Sequence, residues 1–344
     1  MKTSKFILLL FSISLLLCNG IDEKIKPTIT KSDFVIAFGS CNKQFKENLL
    51  WAEIIKNNPQ VWIWGGDNIY SSPYKKNKMQ KDYKKQLSIK GYQDLKEQAE
   101  IIGIWDDHDY GLNDGGSEFS KKEEAQSMFL DFFDVPKDHP RRNQEGIYYS
   151  KVYQTDEGSI KVILLDTRYF RSGLEKSIKK NRRYKRNFKE GATVLGDKQW
   201  KWLTSELKNS TSDFNIIVSS IQYLSKEHGY EAWDNFPNEV DKLSNVIVNS
   251  KAKGVLLLSG DRHISEFSKT KLEGLNYPLI DFTSSGLTHS YDRFTKEPNQ
   301  YRVKEVVSDI SFGLLLFDFK TRKITMQMRG RNNILQQEYI QHYP

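Results

Sequence analysis

The chain is short of cysteine: 344 residues contain two, at positions 18 and 41. No disulfide framework can hold it. Without a Cys-x-x-Cys pair, a thiol redox enzyme would have no partner to resolve Cys41. A second long apolar run is also missing. The one present, Phe6–Leu17, follows Lys2 and Lys5 and ends before Asp22-Glu23-Lys24. It is too short to span a bilayer and reads as the core of a secretory leader, a signal peptide over residues 1–20. A second reading takes Leu15-Leu16-Leu17-Cys18 as a lipoprotein signal with a lipidated Cys18, although Leu17 is bulky for the position before such a cysteine. The expectation is a secreted, periplasmic or cell-surface protein that meets a membrane only if Cys18 is lipidated. Repeats, low-complexity tracts and an evident linker are absent too, so one domain is expected over 30–344.

Beyond the leader, Cys41 is the lone thiol. In an exported protein such a thiol is buried as a small hydrophobe, reactive, or bound to a metal. Formal charge is +8, and removing residues 1–20 takes away Lys2 and Lys5, leaving +6. The basic residues cluster at Tyr74–Lys85 and at Lys176–Lys189, where SIKKNRRYKRNFK reads as a mobile basic loop. Such patches attract small phosphoesters and anionic polymers, and equally serve as a solvated surface. Aromatic residues do not interleave with them, which argues against a platform for single-stranded nucleic acid.

Apolar periodicity predicts buried strands over 33–39, 61–66 and 101–105, with helices over 47–57 and 121–133 and a polar, helix-prone stretch over 74–99. An antiparallel pair is expected at 146–153 and 160–166. Helices at 197–207 and 238–250 alternate with strands at 214–220 and 255–259. Further strand-like runs follow at 263–269, 278–282, 312–319 and 323–328, and the tail from Tyr339 has no assignment. Helices flanking strands on both sides of antiparallel β structure predict a layered α/β sandwich.

Several of these strands end in ligand-type residues: Cys41, Asp67, Asp106-Asp107-His108-Asp109, and Asp261 with His263. A single aspartate after a strand is usually a cap or turn residue. Four such ends, with Gln222 after a fifth strand as a weaker candidate ligand or substrate contact, point to a site at the C-terminal edge of a sheet. Three adjacent carboxylates repel one another unless a cation neutralises them.

The segments FGSC (38–41), GGDNIY (65–70), WDDHDYGLNDGG (105–116), LLDTRYFR (164–171) and SGDRH (259–263) together resemble the PhoD-type alkaline phosphatases of the metallophosphoesterase superfamily. The resemblance runs in order from about Phe34 to the C-terminus. It implies a four-layer αββα sandwich with mixed sheets, and a bimetallic site with a bridging oxide or hydroxide that hydrolyses phosphomonoesters. Iron and calcium are the implied cofactors, with other divalent metals as alternatives. Cys41, Tyr70 and His263 would serve the iron, Asp67 would bridge, and Asp261 with either Asp106 or Asp107 would serve the second ion. His108 would meet the leaving group, Asn113 and Arg168 the phosphate. Asp109 and Asp166 would orient their neighbours, and Tyr169, Phe170 and Arg171 would wall the pocket. The alternatives are a phosphodiesterase acting on nucleic acid, cell-wall polymer or phospholipid, and a non-catalytic metal- or anion-binding protein. The expected substrate is a small-molecule phosphoester, with an anionic polymer as a second partner through the basic loops. No stable protein partner is implied.

Overall fold

The computed structural model describes residues 32–71, 77–294 and 296–344. The leader, Cys18 and part of the first basic cluster lie outside the described residues. Two large sheets organise the chain. In the first, β1 (Phe34–Gly39), β2 (Val61–Gly65) and β3 (Glu100–Ile104) run parallel, and β13 (Phe312–Asp318), β14 (Lys323–Arg329) and β15 (Leu335–His342) extend it antiparallel. In the second, β11 (Leu279–Ser284), β9 (Val255–Ser259), β8 (Phe214–Val218) and β5 (Ser159–Leu164) run parallel. β10 (Ser265–Thr270), β12 (Arg302–Val307) and β4 (Tyr149–Gln154) make antiparallel edges.

The alternation of side chains along the strands builds the layers. Val162, Ile216, Leu256 and Phe282 enter one large core shared with the first sheet, where Phe38 meets Phe282 edge-to-face at 4.8 Å. Their neighbours Ile163, Ile217, Leu257 and Leu279 enter a second core with α6 (Gly196–Lys208) and α7 (Pro237–Ser250). On the outer side of the first sheet, Trp62 and Trp64 pack against Trp51 of α1 (Trp51–Ile55) and against the α3 region through Tyr92. α2 (Lys78–Leu87), α3 (Lys90–Gln98), α4 (Asp107–Tyr110) and α5 (Lys122–Phe132) complete that side of the chain. The result is the expected helix–sheet–sheet–helix sandwich, folded as one domain. Strands buried on both faces read as unbroken apolar runs, which is why the central ones were legible.

Three segments differ from expectation. The helix over 47–57 shrinks to Trp51–Ile55, because Leu49 points outward and Asn48 caps the backbone of Leu50 instead. The unassigned tail belongs to β15, the edge strand beside β14. The basic run read as a mobile loop contains a small hairpin, β6 (Glu175–Lys176) and β7 (Tyr184–Lys185), whose Tyr184 is buried.

Because the central strands of both sheets are parallel, their C-terminal ends gather at one edge. The two sheets meet tightly there: a Cβ at Gly260 would sit 2.6 Å from the Ser40 hydroxyl and 2.7 Å from the Gly65 carbonyl. Only glycine fits a junction that tight.

Candidate metal centre

Just past the strand ends the backbone turns left-handed at four residues that are not glycine: Cys41 (φ 62°), Asp67 (51°), Asp261 (65°) and His263 (55°). Such a conformation costs about 1–2 kcal/mol per non-glycine residue. Each of these turns aims a ligand-type side chain into the same space. Cys41 Sγ lies 3.5 Å from Asp67 Oδ2, and Tyr70 Oη is 3.0 Å from His263 Nε2.

Two overlapping groups result. Ligand atoms of Cys41, Asp67 and His263 all lie within 4.8 Å of one another, and so do those of Asp67, Asp107 and His108. Asp67 belongs to both. Its Oδ1 also accepts the His108 backbone N–H at 3.2 Å, which ties the short helix α4 to this carboxylate.

The electrostatics favour cations here. Burial, and then the charges of Asp107 and Asp106, push the Asp67 carboxyl well above the usual carboxylate range. Burial raises Asp261 in the same way, with Asp106 adding to it. Burial raises the Cys41 thiol too, joined by Asp67 and Asp261. A cation among these groups reverses all three effects at once. Burial, with Lys43 and Arg262 nearby, lowers His263 to about 4, so the imidazole is neutral and ready to act as a ligand.

The two candidate aspartates part company. Asp107 stands in the Asp67 group and takes the Asp114 backbone N–H at 2.8 Å. Asp106 turns inward: its Oδ1 accepts from Arg168 Nε at 2.7 Å, from Arg168 Nη2 and from Ser220 at 2.7 Å. Its Oδ2 is buried without a hydrogen-bond partner among the described residues. Asp109 caps α4 at the Asp106 N–H and holds the Asn68 N–H. Asp166 accepts from Trp105 and from the backbones of Arg168 and Tyr169, a frame rather than a ligand.

Arg168 and Arg171 are fully buried. Arg168 spans Asp106 and Glu231, the latter at 2.7 Å, and Arg171 Nε lies 2.9 Å from the other Glu231 oxygen. Neither lines the cavity above the cluster, nor do Tyr169, Phe170 and Gln222. Gln222 instead donates to Glu266 and Thr283 at 2.8 Å.

That cavity, of about 340 Å³, has Asp67, Asp107, His108, Asn113, Asp261 and His263 on its floor. Its wall is made by Tyr230, Glu231, Arg262, Tyr291 and Glu297, with Arg183 and Asp114 beside them. Sequence reasoning missed this wall. Arg262 was in plain view inside SGDRH; Arg183 was hidden in a run of cations, and only its ion pair with Asp114 at 2.9 Å distinguishes it. Tyr184 donates to the same Asp114, so the basic hairpin is pinned to the site. His289 was missed as well. Its ring lies 4.4 Å from that of His263 and 5.2 Å from that of Tyr70.

A two-sheet α/β sandwich with two overlapping ligand groups at the parallel-strand ends defines a class of metal-binding proteins. The chain belongs to the PhoD-like phosphatase family, whose profile matches residues 36–308. Alkaline phosphatase D of Bacillus subtilis (strain 168) is 29% identical over 111 residues, 27% of this chain and 19% of that protein's length. A solved structure of PhoD superposes with a TM-score of 0.67 at 17% identity, covering 90% of this chain and 68% of the other. A structure of GAP50, the anchor in the inner membrane complex of Plasmodium, covers 91% of this chain and 90% of its own at 12% identity, with a TM-score of 0.58.

Proposed function

We propose that the chain is an exported, metal-dependent phosphoester hydrolase acting on phosphomonoesters. The carrying observation is Asp67, shared by the Cys41–His263 group and the Asp107–His108 group. Its two carboxylate oxygens suit a bridge between two cations, with Cys41, Tyr70 and His263 on one side and Asp107 and Asp261 on the other. A thiolate and phenolate favour iron at the first position, and the oxygen-rich second position favours calcium. When bound, the ions would neutralise phosphoryl oxygens and lower the proton affinity of the attacking water.

The chain's own residues do the rest. Asn113, on the cavity floor, holds a phosphoryl oxygen. His108 lies stacked on Tyr70, ring centroids 4.1 Å apart, and its imidazole gives a proton to the leaving oxygen. Arg168, whose fork is taken up by Asp106 and Glu231, acts in this reading as a positioning residue for α4 rather than as a phosphate contact. Asp106 follows it into that supporting role.

Fold alone does not decide this, because an anchor protein has the same architecture. Family membership together with the full ligand set supports hydrolysis over a binding role without turnover. The test is elemental analysis of the purified protein, with hydrolysis of an aryl phosphate measured before and after chelation. Iron and calcium in comparable amounts, with activity lost on chelation and restored by the ions, is the expected result. Zinc alone would overturn the metal assignment, and turnover unaffected by chelation would overturn the mechanism. Comparing a monoester with a bis-aryl diester decides between monoesterase and diesterase.

A further inference from the structure

The wall of the cavity holds a cation that the phosphoryl chemistry does not use. Arg262 sits between Asp261 and His263, both left-handed, and its backbone N–H closes a tight turn on the Gly260 carbonyl at 2.8 Å. Its backbone is therefore fixed by the same turns that aim the ligands of the floor. Its head leans the other way. The guanidinium carbon lies 4.4 Å from the centre of the Tyr230 ring, and Nη2 reaches both Glu297 oxygens at 2.9 and 3.0 Å. Nε is buried with no acceptor among the described residues, on a side chain only 9% exposed.

Arg168 has acidic partners for Nε, Nη1 and Nη2; Nε of Arg141 and Arg171 lacks a hydrogen-bond partner among the described residues as that of Arg262 does, but of these three Arg262 is the one whose side chain lines the cavity. A charged donor left without an acceptor inside a cavity points to an acceptor brought by a ligand. Arg183 lines the same cavity with its side chain 53% exposed, and uses Nη2 on Asp114. At about 340 Å³ the cavity falls within the roughly 300–1,000 Å³ typical of sites for whole small molecules, well beyond one phosphoryl group.

We propose that Arg262, seated on Tyr230 and assisted by Arg183, forms a subsite for an oxyanion carried by the leaving group. The preferred substrate is then a phosphoester with a second carboxylate or phosphate. This rests on the phosphoester-hydrolase reading above. The phosphoryl group lies over Asp67 and Asp107, while the second anion accepts from Arg262 Nε, the donor that the Glu297 pair leaves free. Tyr230 and Tyr291 flank the portion between them.

The experiment compares phenyl phosphate, 4-carboxyphenyl phosphate and benzene-1,4-diyl bisphosphate on the purified full chain. Wild-type kcat/KM should favour at least one of the doubly anionic substrates by about 10-fold or more. Which of the two is favoured identifies carboxylate or phosphate as the second anion. In Arg262→Gln that preference should fall to near unity, and in the more exposed Arg183→Gln it should fall about threefold. Phenyl phosphate turned over without any preference by the wild type overturns the proposal, and so does a preference that survives Arg262→Gln. Calorimetric binding of 4-carboxyphenylphosphonate against phenylphosphonate makes the same comparison without turnover. Selective binding, lost in Arg262→Gln, by a protein that hydrolyses none of the esters would sink the hydrolase reading and leave the subsite standing. Equal binding of the two phosphonates by such a protein would sink both. Arg262→Lys, which keeps the charge and loses the Nε donor, guards against a folding artefact: it should retain a weakened preference.

Discussion

The floor and the wall of the cavity solve the same backbone problem in opposite ways. On the floor, left-handed turns fall on Cys41, Asp67, Asp261 and His263, where each side chain is a candidate ligand. In the wall one left-handed turn falls on Gly229 (φ 81°), just before Tyr230, where a Cβ would come within 2.9 Å of Arg182 Cα. Glycine is the unstrained choice, and the wall takes it because position 229 needs no side chain. The floor accepts strain at four places because a glycine there would remove the ligand. Beside the wall Asp114 (φ 49°) is left-handed too, and its carboxylate is held by Arg183 and Tyr184. Around this cavity, strain falls where the side chain makes a contact that glycine could not. The floor also hangs from parallel strand ends, whereas the wall is assembled from the basic hairpin and the irregular stretch after Tyr223.

The contrast breaks first at Asp67. Asp67→Ala should lower kcat/KM for an aryl phosphate by roughly 10³-fold or more, since a carboxylate common to both ligand groups is lost. Circular dichroism should show the fold intact, because Asp67 lies beyond the end of β2 and outside the two cores. Retained turnover would mean that the floor is not the reactive side.

Next comes Arg168, which joins floor to wall through Asp106 and Glu231. Arg168→Met should destabilise the protein by about 3–5 kcal/mol in denaturant unfolding, because two buried carboxylates lose their cation. Adding Asp106→Asn should recover part of that loss. A variant of ordinary stability with a strongly raised KM would instead return Arg168 to the substrate.

His108 separates the two sides chemically. His108→Asn should slow an alkyl phosphate by about 100-fold, and a nitrophenyl phosphate, whose leaving oxygen needs no proton, by much less. Equal losses on both substrates would make His108 a ligand or phosphoryl contact rather than the acid.

Much of the floor was legible because strand and ligand announce themselves together. Val61–Gly65 and Val255–Ser259 are unbroken apolar runs, and the acids follow within a few residues. Placing Asp107 apart from Asp106 was not legible, since adjacent residues differ only in the direction α4 gives them. Arg168, expected at the phosphate, has its fork on two buried acids instead, which the sequence had no means of showing. An arginine that contacts phosphate and one that neutralises buried acids have the same one-dimensional signature, and burial alone tells them apart. The wall was least legible: Tyr230 lies 47 residues after Arg183 (230 − 183) and 67 before Glu297 (297 − 230), with no period to betray a shared surface. The hairpin at Glu175–Lys185 hid for the opposite reason. Its charge dominated its pattern, and the single buried ring of Tyr184 carries the docking.

The smallest effect sharpens the wall. His228 stacks on Tyr230, with ring centroids 6.0 Å apart, and its Nδ1 accepts the Tyr230 N–H at 3.1 Å. Burial, with Arg262 and Arg182 close by, holds its pKa well below the ordinary histidine value. The folded protein therefore keeps this ring neutral while the unfolded chain protonates it below about pH 6.5. Between those two pKa values the unfolded state binds more protons, so stability rises with pH and is lost as pH falls through that window. At pH 5.5 the contribution is on the order of 1 kcal/mol. His228→Asn keeps an acceptor for the Tyr230 N–H and removes the titration. Its unfolding free energy between pH 7 and 5.5 should therefore fall by roughly 1 kcal/mol less than that of the wild type. Parallel pH curves for the two proteins would mean that His228 is protonated in the folded state, and that the cations around Tyr230 are already matched by an anion of the protein's own.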